Sequence, residues 1–311
     1  MTIFECTQLI KAYDNILILT HMRPDGDTLG SAAALCSALG RSGNTAYLFP
    51  NSEVTENYIE YIRPYFAPDG FIPGFVISAD VADKELFPLG FNGEADLCID
   101  HHPSNSGFAR KSLVMPDKSS CGEIVFELIL KMCGSVSVNE ANLLYTALST
   151  DTGCFRYANT NAASLRAAAA LLEAGADNKR INKDLFRTKT FERIKLEGLI
   201  YTGLRRHAGG IVTVALITPE MMAESGATEN DCEDLAGIPG SIKGTKIGIT
   251  IRETEPGISK VSVRTGEEYD ASEICAIFAG GGHAMAAGCN IRGNCEDAEK
   301  RIVGAINGLL K

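Results

Sequence analysis

The chain holds five histidines, and three of them fall in aspartate-rich segments: His21 in His-Met-Arg-Pro-Asp-Gly-Asp, and His101 and His102 in Ile-Asp-His-His. Five histidines in 311 residues give about 0.08 His–His pairs by chance, so the doublet is informative. Imidazole with carboxylate, and without thiolate, suits hard to borderline divalent ions such as Mn²⁺, Mg²⁺ or Co²⁺ better than a structural zinc. Asp25 and Asp27 stand two apart around Gly26, a spacing that lets both turn into one crevice. Asp80 and Asp100 each end an apolar run, and Asp151 lies between a helix-like stretch and Gly153. A single aspartate in such a place is ordinarily a helix cap or a turn residue. Four gathered together, Asp25, Asp27, Asp80 and Asp151, carry −4 and raise one another's pKa unless cations neutralise them. Two divalent ions supply +4, which points to a two-metal site that clamps the attacking and leaving oxygens of a phosphoryl displacement.

Residues this far apart in sequence need elements that deliver them to one place. The apolar run 15–19 ends at Thr20 and His21 and gives way to an Ala-rich segment, 29–39, which reads as strand, loop and helix. Short apolar runs recur at 45–49, 75–79 and 95–99 with helix-length stretches between them, the alternation of a parallel α/β sheet. In such sheets the carboxyl ends of the strands form the ligand crevice. Helical periodicity continues over 124–132, 140–148 and 162–173, and a charged helix-compatible piece covers 190–206. Beyond it come β-rich alternation at 211–217, 246–252 and 260–264, a helix near 272–278, a glycine cluster and a last helix over 296–310. The expected fold is α/β. A parallel-sheet domain over 1–184 is joined by a helical connector, 185–206, to a smaller α/β domain over 207–311.

Composition narrows the function. At 45% apolar and 22% charged over 311 residues the chain builds packed domains, and more than one. No apolar run approaches the roughly 18 residues of a membrane span, and no basic segment precedes an apolar stretch at the N-terminus. The cytoplasm is the expected location. The ten cysteines are dispersed with no C-x-x-C, which reads as reduced thiols and not as a disulfide framework. A net charge of −10 is the wrong sign for tracking long nucleic acid, so a polyanionic substrate has to be short or held by metal.

The series His21-x-x-Pro24-Asp25-x-Asp27-x-x-Gly30-Ser31, then Asp80, then Asp100-His101-His102, then Ser149-Thr150-Asp151-Thr152-Gly153 resembles, in order and approximate spacing, the four motifs of the DHH phosphoesterase superfamily. Gly280-Gly281-Gly282-His283 with Ala286-Ala287-Gly288 looks like the substrate-binding signature of the DHH-associated C-terminal domain. With Phe155-Arg156-Tyr157-x-Asn159-Thr160 and Val263-Arg264, the chain is most similar to the nanoRNase/pAp-phosphatase group. The resemblance implies that His21, Asp25 and Asp80 hold one ion and that Asp27, Asp80, His101 and Asp151 hold the other, with Mn²⁺ favoured. It implies that His102 faces the scissile phosphate as a donor and that Asp100 orients a histidine from behind. After Asp80 the family commonly carries an arginine where this chain reads Val-Ala-Asp-Lys, so Asp83 and Lys84 stand as rivals for roles at the site.

Gly280, Gly281, Gly282 and His283 read as a backbone nest for phosphate. Arg264, at the end of a β run, reads as a two-pronged phosphate clamp. Arg110 and Arg156 lie near the metal motifs in sequence and are further candidates, whereas His207 reads as an exposed connector residue. The function expected is hydrolysis of short oligoribonucleotides to mononucleotides and dephosphorylation of 3′-phosphoadenosine 5′-phosphate. The same motifs serve linear or cyclic dinucleotide phosphodiesterases and family II inorganic pyrophosphatases, and a non-catalytic nucleotide-binding regulator is a further alternative. A homodimer is compatible with all of these readings.

Overall fold

The structure is a computed structural model that describes residues 1–232 and 234–310, with His283 described by its backbone alone. The chain divides into two compact units, Met1–Thr188 and Lys189–Lys311. In the first, the chain runs through α1 (Ile3–Lys11), β1 (Ile16–Leu19), α2 (Gly26–Arg41), β2 (Ala46–Leu48), α3 (Glu56–Ile62), β3 (Phe75–Ala79), β4 (Leu97–Asp100) and β5 (Lys111–Val114). Four helices follow: α4 (Cys121–Cys133), α5 (Val138–Asp151), α6 (Ala162–Glu173) and α7 (Asn178–Asn182). The five strands are all parallel, in the order β2-β1-β3-β4-β5. From β1 the chain moves outward to β2 and then returns to β3 on the other side. That reversal is a topological switch point, where a crevice opens beyond the carboxyl ends of β1 and β3.

The central strands are buried on both faces, which is why they read as continuous apolar runs. Ile16, Ile18 and Ile77 enter the main core with Leu29, Ala32 and Leu35 of α2. Leu17, Leu19 and Val76 face a smaller cluster covered by Phe49, Phe71, Phe87 and Phe91. Helix α2 buries 13 of its 16 residues, so it is walled in on nearly every side. Its small residues make that packing feasible: a Cβ added at Gly30 would lie 2.4 Å from the Leu143 carbonyl oxygen, so α2 and α5 meet at glycine distance. The two helices that carry Asp27 and Asp151 are thereby locked to each other.

The second unit comprises α8 (Phe191–Thr202), β6 (Arg205–His207), β7 (Val212–Ile217), α9 (Pro219–Ser225), β8 (Ile247–Glu255) and β9 (Ile258–Thr265). It ends with α10 (Ala271–Ala276), β10 (Gly281–His283), β11 (Ala286–Arg292) and α11 (Cys295–Leu309). Its six strands are ordered β10-β11-β9-β8-β7-β6, antiparallel except for the parallel pair β7–β8. One face buries Val214, Ile249 and Val263 against Ile274 of α10 and Ile302 of α11. The other buries Ala215 and Ile217 against Leu196 and Ile200 of α8.

The α/β class and the two sheets match the sequence expectation. Of the stretch 185–206, Leu185 packs on the core of the first unit, whereas α8 is part of the second. Strands β5 and β11 were not legible, and the glycine cluster is an edge strand, β10, hydrogen-bonded to β11. His207 is not an exposed connector residue: its Nε2 lies 2.9 Å from Glu299 Oε1, and Arg205 binds the same glutamate. Among the described residues no helix is long and apolar enough to cross a membrane.

Candidate metal centre

The cluster is built from chain reversals at the carboxyl ends of the strands. After β1, His21 donates from Nδ1 to the Met22 carbonyl at 2.7 Å, which turns Nε2 toward Asp25 Oδ1 at 3.6 Å and Asp80 Oδ2 at 3.9 Å. Asp25 is the N-cap of α2, accepting from the amides of Asp27 and Thr28, so the cap reading and the ligand reading describe one carboxylate. Asp27, the second residue of the helix, is 1% exposed. Its oxygens accept from the Cys121 and Gly122 amides at the start of α4, at 2.7 and 2.9 Å, and from Ser31 Oγ at 3.1 Å.

Asp80 follows β3 with φ at +61°, in the left-handed region that few non-glycine residues occupy. That turn sends its carboxylate into the crevice, where Oδ1 is buried without a hydrogen-bond partner. An oxygen stranded in this way is a place for a cation. At the end of β4, Asp100 Oδ1 accepts from the His101 and His102 amides and from His102 Nδ1 at 2.7 Å, while Asn105 Nδ2 donates to Oδ2 at 2.6 Å. His102 is therefore held in one tautomer, with Nε2 as the ring's other working atom. His101 donates from Nδ1 to the Lys118 carbonyl at 3.2 Å and presents Nε2 at 3.5 Å from Asp80 Oδ1, 3.7 Å from Asp27 Oδ2 and 3.8 Å from Asp151 Oδ2. Asp151 closes α5 just before Gly153, Cys154 and Phe155, three successive residues with positive φ.

Two groups of donor atoms, each within 4.8 Å of one another, emerge: His21, Asp25 and Asp80, and Asp27, His101 and Asp151. Asp80 also groups with His101 and His102, so it touches both sets. The electrostatics are those of a site short of positive charge. Burial holds the Asp80 carboxyl well above its ordinary range, with repulsion from Asp27, Asp25, Asp100 and Asp151 adding to it. Burial does the same to Asp27, reinforced by Asp151 and Asp25 and opposed by the two α4 amides. Asp151 is pushed up to about 6 by burial, with His101 opposing and Asp25 adding. At Asp25 the surroundings disfavour charge, yet His21 and the capping amides outweigh them and leave it low. Asp100, likewise buried, is kept low by His102 and Asn105. An all-oxygen and imidazole donor set with an orphaned buried oxygen fits a pair of divalent cations.

Other candidates fare differently. Arg110 stands at the amino end of β5, the edge of the sheet opposite the cluster, paired with Glu94 at 3.1 Å and Asp96 at 3.3 Å. Closeness to the motifs in sequence misled there, because a parallel strand separates its two ends in space. Asp83 caps a short helical turn that begins at Lys84 by accepting from the Glu85 amide at 2.9 Å, and it enters no donor group among the described residues. Arg156 is exposed in the turn after Asp151, its Nε donating to the Gly153 carbonyl at 2.7 Å. In the second unit Arg264 pairs with Ala286, which pairs with His283, so the three occupy one cross-strand row. The His283 side chain lies outside the described residues. Gly280 and Gly282 are needed for packing, since a Cβ on either would come within 2.6 Å of β11 backbone atoms. Gly281 has open space at that position. The residues that sequence reasoning missed are Lys118 and Asn159, which hold the ligand candidates His101 and Asp151, Asn105, which holds Asp100, and Ser119, which holds Asn159. A shared motif segment signalled Asn159, and nothing signalled the rest.

Residues 15–148 match the DHH family, N-terminal domain, and residues 209–311 match the DHHA1 domain. The chain is 31% identical to the bifunctional oligoribonuclease and PAP phosphatase NrnA of Thermus thermophilus, over 96% of this chain and 91% of that one. It is 26% identical to the protein of the same description from Bacillus subtilis, over 99% and 98%. The crystal structure of an exopolyphosphatase-related protein from Bacteroides fragilis superposes with a TM-score of 0.88 at 25% identity, covering 99% of this chain and 97% of that one.

Proposed function

Since the chain belongs to the DHH family and carries its DHHA1 partner domain, we propose that it is a Mn²⁺-dependent phosphoesterase. It hydrolyses short oligoribonucleotides to mononucleotides and removes a phosphate from 3′-phosphoadenosine 5′-phosphate. The observation that carries this reading is the pair of donor groups joined at Asp80, whose Oδ1 is buried without a hydrogen bond. His21, Asp25 and Asp80 would hold one ion, and Asp27, His101, Asp151 and Asp80 the other. Bound there, two divalent ions supply Lewis-acid polarisation of the phosphate and a water acidic enough to attack it.

The protein's own groups do the rest. Asp100 accepts the Nδ1 proton of His102, and the ring donates from Nε2 to a phosphate oxygen only in its doubly protonated form, which the Asp100 carboxylate favours as negative charge grows on the phosphate. Arg156 contributes a guanidinium beside the Asp151 turn. In the second unit Arg264, the backbone of Gly280, Gly281 and Gly282, and His283 bind the nucleotide, so the first unit performs the chemistry and the second selects the substrate. With a net charge of −10 long RNA gains little from counterion release, so phosphates beyond the few that bind add little. Such substrates are intracellular, which makes the cytoplasm the place of action.

The test is initial rate with Mn²⁺ against 3′-phosphoadenosine 5′-phosphate, pyrophosphate and RNAs of about two to twenty nucleotides. Hydrolysis of the nucleotide and of the shortest RNAs is expected, with kcat/KM falling beyond about five nucleotides. Turnover of pyrophosphate alone would replace this function by that of a pyrophosphatase. Equal cleavage of the longest RNA would remove the length selection.

A further inference from the structure

One stretch of backbone, Lys118 to Gly122, supplies no candidate ligand yet reaches every member of one donor group. The Lys118 carbonyl receives His101 Nδ1 at 3.2 Å. The Ser119 carbonyl receives Asn159 Nδ2 at 3.1 Å, and Ser119 Oγ donates back to the Asn159 carbonyl at 2.7 Å. Asn159 Nδ2 in turn contacts Asp151 at its carbonyl oxygen and at Oδ2, at 3.1 and 3.2 Å. The Cys121 and Gly122 amides take Asp27. The stretch is itself fixed: Lys118 Nζ, 12% exposed, pairs with Glu123 and Glu127, and the Ser119 amide donates to Glu123 Oε2 at 3.1 Å. The other group is built differently. His21 is oriented by Met22 and Asp25 by the first turn of α2, contacts within their own loop.

We propose that residues 118–122, acting with Asn159, form a positioning frame that sets the affinity of the Asp27–His101–Asp151 ion independently of the His21–Asp25–Asp80 ion. The inference rests on the two-ion reading above and deepens it. A carboxylate and an imidazole that are aimed before the ion arrives lose little freedom when it binds, and partners of this kind are worth about 10- to 100-fold in metal affinity. Asn159 is the member whose side chain reaches the Asp151 carboxylate, so it is the one to change. Its loss removes the hydrogen bond to the Asp151 carboxylate and one of the two bonds between Ser119 and residue 159, leaving only the Ser119 Oγ bond to the backbone carbonyl.

The experiment is calorimetric titration of metal-free protein with Mn²⁺ alone, together with the electron paramagnetic resonance signal of the coupled Mn²⁺ pair. Asn159→Ala is expected to weaken one binding step about 10- to 100-fold, leave the other within about twofold, and delay the coupled signal to higher Mn²⁺. Ser119→Ala, which keeps the carbonyl contact, is expected to shift the same step by a smaller factor and serves if the first variant does not fold. Equal weakening of both steps, or no weakening, overturns the frame. If the wild type binds a single ion, the frame falls together with the two-ion reading. RNA hydrolysis plays no part in the titration, so a wrong substrate leaves the result standing.

Discussion

The charge balance of the cluster makes a quantitative expectation for the metal-free protein. Asp151 titrates near 3.8 in an unfolded chain and is pushed up to about 6 in the fold. A group whose folded pKa is raised contributes stability that is present in full below the unfolded value and is lost as pH rises through the folded one. The loss therefore falls between about pH 4 and pH 6. At about 1.4 kcal/mol for each pKa unit, and with the side chain 28% exposed, it amounts to about 2–3 kcal/mol. Asp151→Asn lacks this loss and keeps an acceptor for Asn159. In the presence of a chelator the variant should be more stable than wild type at pH 7 by about 2–3 kcal/mol, and close to it at pH 4. For a unit of this size the gap is roughly 4–12 °C in Tm. Asp25 and Asp100 are held low and act below this window, while His21, raised by Asp25 against its burial, is common to both proteins and cancels. Saturating Mn²⁺ should reverse the order, because an ion that needs the carboxylate stabilises only the wild type. Scanning calorimetry from pH 4 to 7.5, with and without Mn²⁺, is the assay. A metal-free variant no more stable than wild type at pH 7 would refute the claim that burial, helped by Asp25, makes the Asp151 carboxylate costly in the metal-free fold.

Three further outcomes are expected. Asp80→Asn should abolish turnover and lower Mn²⁺ stoichiometry, whereas Asp83→Asn, a change at a surface cap, should leave both near normal; isotope-free metal analysis with a rate assay distinguishes them. His102→Ala should keep two ions and lose about 10²-fold or more in kcat, the scale of a removed transition-state donor, while His101→Ala should lose metal; the same metal content in both variants would end that division of labour. Gly153→Ala places a Cβ 2.3 Å from the Tyr157 ring at a φ of +55°, so it should lower stability by more than about 1 kcal/mol and disturb Asp151, read as lower Tm and weaker Mn²⁺ binding.

The ligand candidates were legible because each is a side chain of distinctive type at the end of an apolar run, and parallel strands bring such ends together. What holds them was not. Lys118 and Ser119 act largely through carbonyl oxygens, which every residue has, and Asn105 looks like any turn asparagine. Strand β5, Lys-Ser-Leu-Val, is four residues long with one fully buried side chain, too little for a period to show. In β11 alanine and glycine fill positions that β-branched residues would have marked. The glycine run was readable as a special backbone, but its edge-strand form depends on β11. Arg110 shows the converse: nearness along the chain places a residue at the wrong end of a strand as easily as at the right one.

The left-handed backbone at Asp80 has a consequence for how such a protein changes over generations. A single base change in an aspartate codon leads to Asn, Gly, Glu, Ala, Val, His or Tyr. At a φ of +61°, Gly sits without strain and Asn with little, whereas alanine, glutamate and above all valine add roughly 1–2 kcal/mol of backbone cost to the chemical loss. Descendants that abandon catalysis while keeping the fold are thus channelled toward Asn or Gly at this position. An otherwise intact relative with either residue there would mark a lineage that has retired the reaction and retained the scaffold.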